Sequence, residues 1–153
     1  MKLPSEDSPF VCIRSAEHPG WMTWDVADAS VFNSVVMAPL LVRRDGEKGI
    51  LRFFPDRRHA NLVDGLHGGV IAALIDIALF AGYFALTGKD PSNAVTLDLT
   101  TQFVGAGTIG KPTDAEVELV RETGRFGFLR GLVVQDGTPI ASFSGTIRKP
   151  SRR

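Results

Sequence analysis

Several things this chain has little of narrow its function before any motif is read. It has one cysteine, Cys12, so no internal disulfide can form and nothing ties it to an oxidising compartment; the cytoplasm is the expected setting. Its three histidines, at positions 18, 59 and 67, show no metal-ligand spacing with each other or with Cys12, so no metal is expected. No Gly-x-Ser-x-Gly elbow is present, which argues against a serine hydrolase. Neither sign of charge is in excess: seventeen Lys and Arg balance seventeen Asp and Glu, leaving no global field to attract nucleic acid or an anionic membrane. The longest apolar run, Val70 to Leu86, is broken by Asp76 and falls short of the ~20 residues of a bilayer span. The first twenty residues lack an apolar signal core. No membrane or nucleic-acid partner is therefore expected.

What is present fits one globular domain. With 153 residues, 44% hydrophobic and 22% charged, the chain can bury a core of its own. Residues 1–34 are expected as an N-terminal arm and packing segment, loose over 1–20 and then amphipathic around Trp21, Trp24 and Phe32. A single domain follows over 35–149, with a tail at 150–153. Val35–Arg44 and Gly49–Phe54 read as strands of a hairpin joined through Asp45-Gly46, a tight-turn pair. Val70 to Leu86, rich in Ala, Leu and Ile, reads as a helix. Its apolar residues cover nearly the whole circumference, so it must be enclosed.

After Gly88-Lys89-Asp90-Pro91 the period changes to two. Val95, Leu97, Leu99 and Phe103 alternate with polar residues, and Ala115, Val117 and Leu119 do the same. Turns at Glu122–Arg125 and Asp136-Gly137 join further strands, Phe126–Gln135 and Pro139–Arg148. Strands linked so tightly must be antiparallel neighbours. One apolar helix with one curved antiparallel sheet around it is an α+β arrangement.

Within that helix Asp76 stands out. No cation lies at i±3 or i±4, and removing an unpaired carboxylate from water is costly, so it must meet a partner, a cavity or a proton. A structural acid bonded to backbone or to a threonine is one reading; a general base or nucleophile is the other. His67-Gly68-Gly69 sits where the helix should begin, and free N–H groups there can hold an oxyanion. Gly68 and Asp76 are eight residues apart, about 12 Å along one helix at ~1.5 Å per residue. A reacting carbonyl must touch both a base and a donor within ~3 Å. If the two groups cooperate, Asp76 of one subunit must face Gly68 of another across a two-fold axis.

His59-Ala60-Asn61, followed by Leu66-His67-Gly68-Gly69-Val70-Ile71-Ala72-Ala73-Leu74-Ile75-Asp76, resembles the signature of PaaI-type hotdog-fold thioesterases. Val95–Phe103 resembles the strand that follows the helix in that family, and the likeness spans roughly 35–149. The resemblance implies a five- or six-stranded antiparallel sheet wrapped around one long helix, with two such units pairing through their sheets into a homodimer or homotetramer. It implies hydrolysis of acyl-CoA without metal or bound cofactor, coenzyme A being part of the substrate. Asp76 then matches the base or nucleophile and Gly68 the backbone donor to the thioester carbonyl. Asn61 matches a side chain that positions water or the carbonyl, Thr96 a hydroxyl that orients the water, and His67 a residue holding the loop or contacting the thioester. Gly69, Arg57, Arg58 and Arg125 are candidates for contacts to substrate, the arginines for the CoA phosphates. Asp in place of Glu on the helix separates the chain from the 4-hydroxybenzoyl-CoA branch. Two rival readings share the fold: a dehydratase or hydratase of 3-hydroxyacyl or enoyl thioesters, and a non-catalytic acyl-CoA binding module.

Overall fold

The computed structural model describes residues 8–150; the first seven residues of the expected arm and residues 151–153 of the expected tail lie outside the described residues. The helix forms as anticipated but two residues earlier, as α1, Gly68–Thr87. His67 caps its start with extended backbone, and Gly88 ends it in the left-handed conformation at φ 68°, where glycine carries no steric penalty. Its 20 residues have the length and composition of a membrane span, yet most of them are buried inside the fold. It is the core helix.

Six longer strands supply the sheet: β4 (Leu40–Asp45), β5 (Lys48–Phe53), β6 (Val95–Phe103), β7 (Thr113–Glu122), β8 (Phe126–Gln135) and β9 (Thr138–Arg148). A two-residue strand, β2 (Met22–Thr23), adds a seventh at one edge, giving the order β2-β4-β5-β7-β8-β9-β6, antiparallel throughout. The turns sit where the sequence placed them. At Asp136-Gly137 both residues take positive φ, 49° and 74°, as a two-residue hairpin loop demands. The first strand is shorter than expected, because Asn33–Met37 forms a helical turn and Pro39, which has no N–H, stands just before β4.

Alternation decides which face is core. Along β7, Thr113, Ala115 and Val117 point inward and are fully buried, while Asp114, Glu116 and Glu118 point outward. There they meet Arg52 (2.7 Å), Lys48 (2.6 Å) and Arg130 (3.0 Å) on neighbouring strands. Such partly exposed pairs favour the cross-strand register more than they add stability.

Residues 8–26, expected as loose up to residue 20, are instead folded against the sheet. β1 (Phe10–Val11) pairs with β3 (Asp25–Val26), Cys12 is buried, and the Trp24 backbone N–H donates to Leu40 O at 2.9 Å. Phe10 stacks on Trp24 at 4.5 Å, and Trp24 packs against Phe84 of α1 at 5.4 Å. Trp21 covers the outer face beside Leu41 and Ile50, with the guanidinium groups of Arg43 and Arg52 at 4.6 and 4.5 Å from its ring. The arm therefore clasps the β4 edge from both sides.

At its far end α1 is tied down by Glu122, which accepts from Tyr83 Oη, Lys89 Nζ and Lys149 Nζ. Burial alone would raise this carboxyl, but the hydrogen bonds from Lys149, Lys89 and Tyr83 outweigh it and bring it down to about 2.

Helix and sheet cross at two glycines. A Cβ on Gly49 would lie 2.7 Å from Gly82 Cα, and one on Gly82 would lie 2.6 Å from Val117 Cβ. Alanine at 82 gains about 1 kcal/mol of helix propensity, but overpacking against a fixed strand costs about 1–3 kcal/mol or more. Gly82→Ala should thus destabilise the protein, lowering its urea midpoint with an unchanged slope; a raised midpoint would contradict this packing.

Candidate active site

Asp76 is the only charged residue in α1, and among the described residues it has no ion-pair partner. Its Oδ1 accepts one hydrogen bond, from Thr96 Oγ1 at 2.6 Å. Thr96 reaches it because β6 runs beside the helix; a register shift between Thr96 and Asp98 marks a bulge there, a device that re-aims side chains. The sequence thus nominated two residues twenty positions apart that the fold joins directly.

Asp76 opens on a cavity of about 180 Å³ whose walls include Phe10, Trp24, Asn33, Ile77 and Phe80. Phe10, Trp24 and Asn33 are functional candidates that reasoning from the sequence missed. Their signal was weak: two tryptophans and a phenylalanine in a segment matching no motif, which reads only as packing. Trp24 is 2% exposed, and its indole N–H has no acceptor among the described residues.

The second group of candidates gathers at the start of α1. His67 Nδ1 accepts from Gly69 N at 2.9 Å, so His67 serves as the helix N-cap and Gly69's N–H is already engaged. The Gly68 N–H finds no acceptor among the described residues. It is the free donor of this turn, flanked by the Phe103 ring, 3.5 Å from where a Cβ would stand. Asn61 Oδ1 accepts from Val63 N (3.0 Å) and Gly65 N (2.9 Å), closing the loop ahead of the helix. His59 is buried, its Nδ1 accepting from Asp56 N and its Nε2 bonded to Val36 O at 2.7 Å; its carbonyl takes the His67 N–H. The chain 59–67 is therefore a fixed frame that presents Gly68.

Within one chain these two groups stay apart, separated by eight residues of helix or about 12 Å of rise. The arginines differ among themselves. Arg57 pairs with Asp64, and Arg58 with Asp56 and Val35 O, all at the surface. Arg125, at the exposed tip of the β7–β8 hairpin, has no side-chain partner among the described residues. No group of three His, Cys, Asp or Glu able to hold a metal occurs among the described residues.

Comparisons with known proteins identify the fold and its superfamily. The Pseudomonas aeruginosa protein named "Putative esterase PA0474" is 25% identical over 117 residues, covering 75% of this chain and 86% of its own. The fold is shared with a variant of the phenylacetic acid degradation protein PaaI from Thermus thermophilus, at TM-score 0.62 and 23% identity over 72% of this chain and 93% of that one. It is shared also with a hypothetical thioesterase protein from Streptococcus pneumoniae crystallised with coenzyme A, at TM-score 0.65 and 16% identity over 76% and 92%. These likenesses make the fold a hotdog, one long helix wrapped by an antiparallel sheet. The model of the Thioesterase superfamily matches residues 65–141, from the loop before α1 into β9, and the chain belongs to that superfamily.

Proposed function

We propose that the protein hydrolyses acyl- or aryl-CoA thioesters to free acid and CoA, with Asp76 as general base and Gly68 of the partner subunit as oxyanion donor. The observation that carries this reading is the Asp76 carboxylate: the one charge in a buried helix, unpaired, fixed by a single 2.6 Å hydrogen bond at the wall of a cavity. Thr96 occupies Oδ1, which leaves Oδ2 to take a proton. A water gives that proton to Asp76 as its oxygen bonds to the thioester carbon. Negative charge gathers on the former carbonyl oxygen, opposite the Gly68 N–H. When the adduct collapses the C–S bond breaks, the acid is released, and the leaving thiolate takes the proton held by Asp76, which returns to its carboxylate form. No step draws on a metal or cofactor.

The trans arrangement is supported by strand β6. Among the described residues its one neighbour is β9, its other edge is unpaired, and Val95, Leu97 and Phe103 along it are exposed. In an antiparallel pairing of β6 with its own copy, centred on Leu99, Thr96 of one chain lies near Gln102 and Phe103 of the other. Thr96 holds Asp76, and Phe103 flanks Gly68. That pairing brings together the two groups that one chain keeps apart. Hydrolysis is favoured over dehydration because His67 Nδ1 is committed to capping α1 through Gly69 N–H. Arg125 is the arginine proposed to meet a CoA phosphate. The cytoplasm is the proposed setting; Cys12, raised to about 12 by burial and by Asp25 and Asp90, remains an unreactive thiol there.

Three outcomes are expected. Asp76→Asn should keep the fold and lower kcat by ~10²-fold or more; equal thiol release from both proteins would end the base assignment. Thr96→Val should cost roughly ten- to a hundredfold in kcat, as expected for losing a hydrogen bond to a charged group at ~1.5–3 kcal/mol, with Thr96→Ser restoring most of it. Gly68→Pro replaces the N–H with a ring carbon, at a first helical position that accepts proline, after a residue already extended at φ −66°, ψ 133°, and with its Cβ at an ordinary 3.5 Å from the Phe103 ring. It should be inactive alone. Mixed and exchanged with Asp76→Asn chains, it should recover about a quarter of wild-type activity, since half the dimers carry one intact site. No recovery would place both groups in one chain's site and refute the trans geometry.

A further inference from the structure

Leu62 and Val63 are the most exposed large hydrophobic residues among those described, at 105% and 83%. Single surface aliphatics need no explanation, but these two are adjacent, and their loop is fixed. Asn61 N–H donates to Gly65 O at 2.8 Å, and the Asn61 side chain accepts from Val63 N and Gly65 N. Behind the loop, Leu66 N–H donates to Gly107 O at 2.8 Å and Gly65 bridges to Thr108. Two aliphatic side chains are thus held clear of their own chain, close to the exposed Phe103 and Val104 in sequence order of the segment that pins them.

The cavity at Asp76 has the opposite character. It is open on one side, and part of its lining is Pro91, Ser92 and Ala94, the approach to β6. The β6 pairing centred on Leu99 sets Ala94 of one chain opposite Val104 of the other. Carried past the strand ends, the same register sets Ser92 opposite Ala106 and Pro91 opposite Gly107. Gly107 is the residue whose carbonyl holds the loop in place. The exposed aliphatics of one copy therefore stand beside the open cavity of the other.

We propose that Leu62 and Val63 of the partner subunit close the open side of the Asp76 cavity and pack against the acyl chain, so that each site gains its apolar wall only from a second copy. The inference rests on the hydrolase reading and on the β6 pairing, and adds to them two substrate-contact residues. Loop and Gly68 belong to one continuous segment, so oxyanion donor and apolar wall arrive together from one subunit while the base comes from the other.

The test combines Leu62→Ser with Val63→Ser, which should leave folding intact because both side chains lie outside their own chain's packing. On an Asp76→Asn background, calorimetry gives dissociation constants for hexanoyl-CoA and for CoA alone. The loop change should reduce the affinity gained from the hexanoyl group roughly tenfold and leave CoA itself unchanged. Mixed dimers then locate the effect. In a dimer of Asp76→Asn with Gly68→Pro, the intact site takes Gly68 and the loop from the Asp76→Asn chain. The loop change on that chain should raise KM for hexanoyl-CoA; on the Gly68→Pro chain it should not. KM is the readout because, unlike total rate, it does not depend on how many mixed dimers form. An effect that follows the Gly68→Pro chain, or follows neither, would overturn the proposal. So would a variant whose dimer is weakened, by light scattering, while its hexanoyl gain is unchanged: the loop would then be a subunit contact alone. Absence of turnover on every thioester would overturn the hydrolase reading instead, and the binding series would still decide the role of the loop.

Discussion

A helix that is apolar on every side must be covered on every side, and a single sheet covers only part of it. Most features of this molecule answer that constraint. The sheet takes one flank of α1 so closely that Gly49 and Gly82 are required where the two cross. The arm takes another, through Phe10 and Trp24. What is left uncovered is the stretch bearing Asp76, and that is where the cavity lies. The carboxylate avoids the desolvation cost of a buried charge because the enclosure is incomplete at that point, with one threonine hydroxyl supplied in compensation.

The same constraint divides labour along the helix. Its first turn is framed by a rigid loop whose side chains, Asn61, His67 and His59, are used up in backbone hydrogen bonds. Among the described residues this leaves the Gly68 N–H unspent at the positive end of the dipole. Its middle holds the acid. Its last turn is anchored through Tyr83 to Glu122 and two lysines. Rigid ends and an accessible middle are what a site needs when donor and base must be presented at fixed positions to a second chain.

Much of this was legible in the sequence, for reasons that can be named. The 3.6 and 2.0 periods announced the helix and the later strands, and the glycine-bearing turns fixed their antiparallel order. Asp76 declared itself by being charged where everything else was apolar. Thr96 was readable only by resemblance, since a threonine in a strand needs no further explanation; the bond to Asp76 comes from tertiary packing. The segment Val35–Met37 misled because β-branched residues favour strand, whereas Pro39 sets the start of β4 at Leu40. The arm was hardest. Trp21 and Trp24 sit three apart and go to opposite faces of the sheet, one outside between two arginines and one inside against α1, so no single amphipathic period describes them. Asn61 carried both a turn reading and a positioning reading, and its carbonyl oxygen is engaged in closing the turn.

The two ends of the sheet are not alike. At the β4 end, β2 spans two residues and the arm folds over the remaining edge, with Trp24 bonded to Leu40. At the other end β6 offers nine residues with one side unpaired among the described residues. Growth by strand addition is therefore possible in one direction only. In the proposed β6-to-β6 pairing, both margins of the composite sheet would be β4 ends, each blunted by the arm. The arm thus acts as a terminator: it covers an edge that would otherwise be open to strand addition.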